Sequence, residues 1–516
     1  MEQKWWTLIA VCIGVFMLLI DITVVNVALP SIQRSLHSSF SDLQWVVNAY
    51  ALMLAALLLT AGSLADLFGR KLLFTIGLVV FTAASLACGL AQSPLMLNVS
   101  RAVQGIGGAV MLATSLALIA EAFRGRDRAT AFAAYGAVVG AAVAVGPLVG
   151  GALTSGLSWR WIFFVNVPIG VAGAILTVRS VAESRDPGAT RVDWLGLVTF
   201  SGSLFLFVYA LIQGNAKGWG SDEIVGCLAG AVVLLFAFAV AELRQERPMF
   251  DLTLLRRPAF AGASIVAFAI SASMFSLFLY LTLYIQNGLG YSPFQAGLRF
   301  LPLTVAIFVV APLSARATLR VPIRVILAVG LALVAAGIAL MSGLSASSSW
   351  THLLPGFIIG GIGVGIVNPA LATTAVGVVP HNRSGMASGI NNTCRQVGIA
   401  TGIAGLGAIF QHEVSTRTLS ALQRSGQLHA VLRDTHGQLE STFGSGSTGS
   451  LAKALPAAPR QALLNSFHAA FAGAFNEILL IAAAIALAGA IGGLALVRRS
   501  DFIAQTGAAA ASAASA

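Results

Sequence analysis

Residues 18–30 read LLIDITVVNVALP, with one aspartate, Asp21, set among residues apolar enough to lie in hydrocarbon. A carboxylate at such a depth costs a few kcal/mol or more unless a partner compensates it. The rest of the chain supports reading this stretch as part of a membrane span. Of the 516 residues 57% are hydrophobic and only 9% charged, against about 25% charged in soluble globular proteins. Apolar runs of roughly 20 residues recur from end to end, each long enough to cross about 30 Å of hydrocarbon as helix. The chain is an all-α polytopic membrane protein by composition.

Fourteen spans are predicted, at 5–29, 42–65, 72–91, 95–122, 129–154, 161–182, 193–213, 224–243, 259–286, 294–315, 323–343, 351–378, 384–410 and 470–497. The net charge of +11 does not gather on one domain, as a nucleic-acid-binding surface requires, so no nucleic-acid partner is expected. It falls instead in the links after even-numbered spans: Arg70 and Lys71, then Arg124, Arg126 and Arg128, Arg179, Arg185 and Arg191, and so on to Arg498 and Arg499. Basic residues stay on the cytoplasmic side, which predicts both termini there. One link, 411–469, is long, polar and by parity external, with EVSTRTLSALQRS as a possible amphipathic helix; the tail TGAAAASAASA is low-complexity. The four cysteines lie in or beside apolar runs without metal-ligand spacing.

Similar small-residue helix ends and basic turns recur in GSLADLFGRKLL (62–73) and APLSARATLRVPIR (311–324). They suggest two parallel six-helix halves with spans seven and eight inserted between them, as in one large class of secondary transporters. The division expected is 1–185, 186–248 and 249–497, followed by a tail from 498 to 516.

Asp21 lies eight residues before Leu29, and Arg101 six residues after Leu95 on a span of opposite direction. At 1.5 Å per residue they sit about 12 and 9 Å below the same face, close enough in depth to relieve each other's desolvation. The pair reads either as a static packing bridge or as a proton site whose affinity changes with separation. Thr23, Asn26, Gln44, Asn48 and Tyr50 add a polar lining that either faces water or substrate near the outside or makes interhelical hydrogen bonds. Asp66, Gly69, Arg70 and Lys71 form either a solvated turn or a compact clasp at the cytoplasmic end of span two. In GAVVGAAVAVGPLVGG (136–151) the glycines suit close helix packing, and Pro147 introduces a bend that suggests a gate. GIGG (105–108) and GGIGVG (360–365) lack the strand context of a nucleotide loop and read as packing glycines. No catalytic triad, metal-ligand set or Walker motif is present, so the protein is expected to be no enzyme, to need no cofactor or metal, and to draw on an ion gradient.

These segments resemble the major facilitator superfamily, and within it the fourteen-span drug:proton antiporters of the EmrB/QacA-like branch. The resemblance implies a major facilitator fold, proton coupling at Asp21 and Arg101, with Gln104 as a companion, and a gating motif at Gly62, Asp66, Gly69, Arg70 and Lys71. It further implies an antiporter motif at Gly146, Pro147, Gly150 and Gly151, and the branch's entry into span six in WRWIFFVNVPIG (159–170). Some dication exporters of the branch carry acids deep in spans ten and thirteen. Here those spans offer Arg299, Asn391, Asn392, Arg395 and Gln396 instead, which favours neutral, zwitterionic, anionic or singly charged amphipathic compounds. Arg395 is placed at mid-membrane, contacting substrate or a polar network, or else pairing with a backbone carbonyl. A cavity drawing on Asn26, Asn48, Tyr50, Gln104, Arg299, Asn391, Asn392 and Arg395, with aromatic surface from Phe275, Phe278, Tyr280 and Tyr284, is the expected substrate site. The function so implied is a monomeric antiporter of the bacterial plasma membrane exporting drugs or a metabolite, with a proton-coupled importer as the alternative.

Overall fold

The computed structural model describes residues 2–185, 192–245, 248, 250–318, 320–379, 384–425 and 457–498. All regular structure among them is helical. We number the spans α1 (Gln3–Leu36), α2 (Phe40–Phe68), α3 (Arg70–Gly89), α4 (Pro94–Ala122), α5 (Gly125–Gly156), α6 (Trp161–Ser180) and α7 (Trp194–Lys217). The series continues with α8 (Asp222–Arg244), α9 (Pro258–Gly288), α10 (Pro293–Ala317), α11 (Ile323–Leu340), α12 (Leu354–Gly377), α13 (Ser384–Arg424) and α14 (Ala457–Leu496). Thirteen of the described helices are long and apolar enough to cross a bilayer; α13, which carries Asn391, Asn392, Arg395 and Gln396, is not among them.

Helix starts follow the local chemistry. Ser39 and Asp42 close a capping box on α2, Ser292 and Gln295 do so on α10, and Ser93 caps α4 ahead of Pro94. The stretch 411–469 departs from expectation. α13 runs unbroken through EVSTRTLSALQRS to Arg424, and α14 begins at Ala457, so both helices project well past the apolar slab. Arg417, on the extended part of α13, bonds Glu413 one turn back at 2.7 Å and Glu477 in the body of α14 at 2.5 Å. The central part of the loop and the low-complexity tail lie outside the described residues.

α1 to α6 pack on one another, as do α9 to α14, and α7 and α8 form a hairpin leaning on the seam where α2 meets α13. Large apolar side chains remain exposed on the outer faces, among them Val232, Phe236, Leu487 and Ile491. On a bundle this apolar they face hydrocarbon. The glycine segments serve close approach: a Cβ at Gly107 would lie 2.6 Å from the Phe81 nitrogen on α3, and one at Gly361 2.5 Å from the Leu303 oxygen on α10.

Contact between the halves is uneven along their length. On one face of α5, Gly151 lies under the Pro293 oxygen of α10, with 2.6 Å to an added Cβ, whereas at Gly140 the nearest atom is on Phe308 at 3.7 Å, and at Gly136 nothing lies within 4 Å. On one face of α13, Gly407 is covered by Gln44 and Tyr280, Gly389 meets the tip of Leu59, and Gly385 meets nothing. The halves are clamped at the end away from the basic links and part toward the basic end.

Candidate functional site

Asp21 and Arg101 meet. Arg101 Nη1 lies 2.5 Å from Asp21 Oδ2, and the side chains are 2% and 0% exposed, respectively. The surroundings satisfy both ions. Gln104 Nε2 donates to Asp21 Oδ1 at 3.0 Å, and Asn166 Nδ2 donates to the same oxygen at 3.3 Å. Arg101 Nε donates to the Val46 carbonyl at 3.0 Å and Nη1 to Gln104 Oε1 at 2.6 Å. Its guanidinium lies 4.3 Å from the centre of the Tyr50 ring, a cation–π contact. Ser85 accepts from Gln104 and Asn166 and donates to the Phe163 carbonyl. Five helices (α1, α2, α3, α4 and α6) thus hold one ion pair inside the first half.

Such a pair is stable only as a whole: removing one partner strands a buried charge at a cost of about 3–5 kcal/mol. Protonating Asp21 removes the Coulombic attraction while leaving the carboxyl hydrogen-bonded, and Arg101 retains a carbonyl, an amide oxygen and a ring face.

Other candidate residues fall elsewhere. Tyr50 and Asn48 do not line water near one end: Tyr50 is 2% exposed and Asn48 0%, and their polar atoms have no hydrogen-bond partner among the described residues. Asn26 turns onto its own helix, donating to the Ile22 carbonyl at 3.0 Å, and Gln104 belongs to the ion-pair network rather than to a cavity. Arg299 lies near the clamped end between the rings of Tyr291 and Trp350, 3.4 and 5.1 Å from their centres. Tyr280 is buried in the clamp beside Phe40, donating to the Ile403 carbonyl, and Tyr284 is buried within the second half, stacked on Phe475. Asn391 is buried against α9, while Asn392 and Arg395 are partly exposed.

The GSLADLFGRKLL turn closes on itself. Arg70 Nη2 lies 2.8 Å from Asp66 Oδ1, and Gly69 takes φ +127, a conformation side chains resist. A Cβ there would also strike the Glu183 carboxylate, which accepts from the Lys71 and Leu72 backbone nitrogens at 3.0 and 3.1 Å. Arg70 N donates to Ser184 O, and Lys71 Nζ to Val178 O, so among the described residues the partners of the clasp lie in the first half. At Gly62 a Cβ would meet open space.

The GPLVGG segment lies in the clamp. An added Cβ on Gly146 would strike Thr23, one on Gly150 would lie 2.9 Å from the Val24 oxygen, and the Pro147 carbonyl sits over Gly297. α5 passes through Pro147 without interruption.

Two residues of the ion-pair network and one of the turn carried no assigned role in the sequence. Asn166 had a visible signal, since it is the lone amide in the apolar run WIFFVNVPIG. Ser85 and Glu183 had none, being a small hydroxyl among alanines and an acid in a polar link.

The pattern of the Major Facilitator Superfamily matches residues 11–403. This chain belongs to that superfamily. It is 37% identical over 420 residues to the "Multidrug resistance protein Stp" of Mycobacterium tuberculosis (strain ATCC 25618 / H37Rv), covering 81% of this chain and 78% of that one. The "Puromycin resistance protein pur8" of Streptomyces alboniger is 38% identical over 414 residues, 79% of this chain and 82% of its own. The "Tetracenomycin C resistance and export protein" of Streptomyces glaucescens is 35% identical over 413 residues, 80% and 77%. Among solved structures, an inward-facing, unoccupied bacterial homolog of the human lysosomal transporter Spinster superposes with a TM-score of 0.60 at 19% identity, covering 98% of this chain and 99% of that one. That likeness concerns the fold.

Proposed function

We propose that the protein is a proton-coupled antiporter that exports amphipathic drugs or an antibiotic-like metabolite across the bacterial plasma membrane by alternating access. The observation that carries the coupling is the sealed Asp21–Arg101 pair with its amide network. The multidrug, puromycin and tetracenomycin C resistance of the relatives supports export. Basic links put the parted end of the bundle at the cytoplasm, with both termini, so the conformation described is open inward. The protein works as a monomer in the bilayer, is no enzyme and requires no cofactor.

In this reading a proton from outside reaches Asp21 in the outward-open state and loosens its hold on Arg101. Substrate departs outward, the halves rock back, and the proton leaves inside as the ion pair reforms. One proton moving through about 150 mV supplies about 3.5 kcal/mol, enough for a gradient of a few hundredfold. The test uses energised inverted vesicles. Adding puromycin should trigger proton release through the wild type and none through Asp21→Asn, although the variant is made and inserted normally. Coupled transport at the wild-type rate in Asp21→Asn would make the pair a structural bridge.

A further inference from the structure

The C-terminal half carries a second mid-membrane cation, and this one has no counter-ion among the described residues. Arg395 lies eleven residues into α13 from Ser384, so about 16 Å from its start. Its guanidinium carbon lies 5.6 Å from the centre of the Phe275 ring. Among the described residues it makes no hydrogen bond or ion pair. Arg101, by contrast, fills its donors from an acid, an amide and a carbonyl. A guanidinium left unpaired at that depth is costly.

Its direction follows from helical periodicity. Gly398 and Gly402 of α13 press on the α9 backbone and Asn391 bonds the Ala263 carbonyl, so that face looks at α9. Gly389 and Gly407 meet Leu59 and Gln44 of α2. At 100° per residue, Arg395 and Asn392 fall on the strip between the two faces, toward the gap between the halves. Phe275 closes a π-helical turn of α9, Ser271–Phe275, an irregularity common at functional sites. From Phe275 a run of rings continues through Phe278 and Phe300 to Phe357, with centres 6.3, 5.4 and 5.6 Å apart in turn.

We propose that Arg395 and Phe275 form an anion-binding subsite that selects planar aromatic compounds carrying a carboxylate or phenolate. The guanidinium takes the charge and the partly exposed Phe275 ring takes the aromatic plane. The depth excludes a lipid headgroup as the partner. This deepens the exporter reading and rests on it. Carrying an anion out against a proton in moves two charges per cycle in the direction the membrane potential favours.

The test measures binding, so that a failure of coupled transport bears on the exporter reading and a failure here bears on the subsite. Purified protein in nanodiscs is titrated with two dyes of one skeleton: fluorescein methyl ester as the phenolate, and cationic rhodamine 123. The wild type should bind the anion about tenfold more tightly. Arg395→Gln should abolish that preference, weakening the anionic dye about tenfold, and Arg395→Lys should keep it in part. In the wild type, benzoate should displace the anionic dye and spare the cationic one, a readout that needs no variant. Equal affinity for the two dyes in the wild type, retention of the preference in Arg395→Gln, or equal displacement by benzoate would overturn the proposal.

Discussion

Asp21 keeps its place because both of its oxygens are filled by donors from α4 and α6, and Arg101 keeps its place through Val46, Gln104 and Tyr50 as much as through the acid. The two partners are therefore not equivalent to mutation. Asp21→Asn retains an oxygen for Gln104 and resembles the protonated acid of the proposed cycle. Arg101→Ala leaves a buried carboxylate with amides alone and a void beside Tyr50. It should destabilise the protein by about 3–5 kcal/mol and clearly more than Asp21→Asn, as read by thermal unfolding of the purified variants. Equal stability of the two would mean that the network does not depend on the charge of Arg101. At this scale the sequence exposed the two ions by their rarity in apolar runs and their equal depth, but it could not aim amides. Gln104 was legible as a companion of the pair through the resemblance alone, and Tyr50 only as a polar position, because its direction depends on how α2 rotates about its axis.

The clamp between α5 and α10 is made of backbone against backbone. At Gly151 a Cβ would stand 2.6 Å from the Pro293 oxygen and 2.9 Å from the Phe294 Cα, neither of which can rotate aside. Gly151→Ala should push the two helices apart and bias the protein toward the outward-open state. The readout is increased labelling by an impermeant thiol reagent of a cysteine introduced at Ser155, on a chain whose four native cysteines are replaced. Gly136→Ala, on the same helix where a Cβ meets open space, is the control and should leave labelling unchanged. Labelling raised equally by both, or by neither, would remove the clamp from the gating account. The periodic glycines of α5 were readable as a packing face. Which end of that face is closed was not, since the answer depends on the other half.

For the whole molecule, fourteen spans and two halves follow from hydropathy and the alternation of basic links, whose signal is repeated many times along the chain. The helical character of EVSTRTLSALQRS was legible, but its continuity with α13 and the start of α14 at Ala457 were not, because polar amphipathic helix and polar loop differ little in composition when the stabilising pairs, such as Arg417 with Glu477, come from remote positions. If the halves rock, joining them at the clamp must stop turnover. Phe294 N donates to Ser155 Oγ at 2.9 Å across α5 and α10. A Ser155→Cys/Phe294→Cys pair on the cysteine-replaced chain should therefore crosslink on oxidation, abolish drug efflux, and regain it on reduction. Efflux that continues through the oxidised, fully crosslinked protein would exclude opening at that end.

The central claim is that Asp21 changes protonation when substrate binds, and proton exchange in weakly buffered solution measures it most directly. Puromycin added to purified wild-type protein should shift the reading of a pH indicator in proportion to bound drug, and should shift nothing in Asp21→Asn even though that variant still binds puromycin. An unchanged proton signal from Asp21→Asn, at equal drug occupancy, would contradict the account.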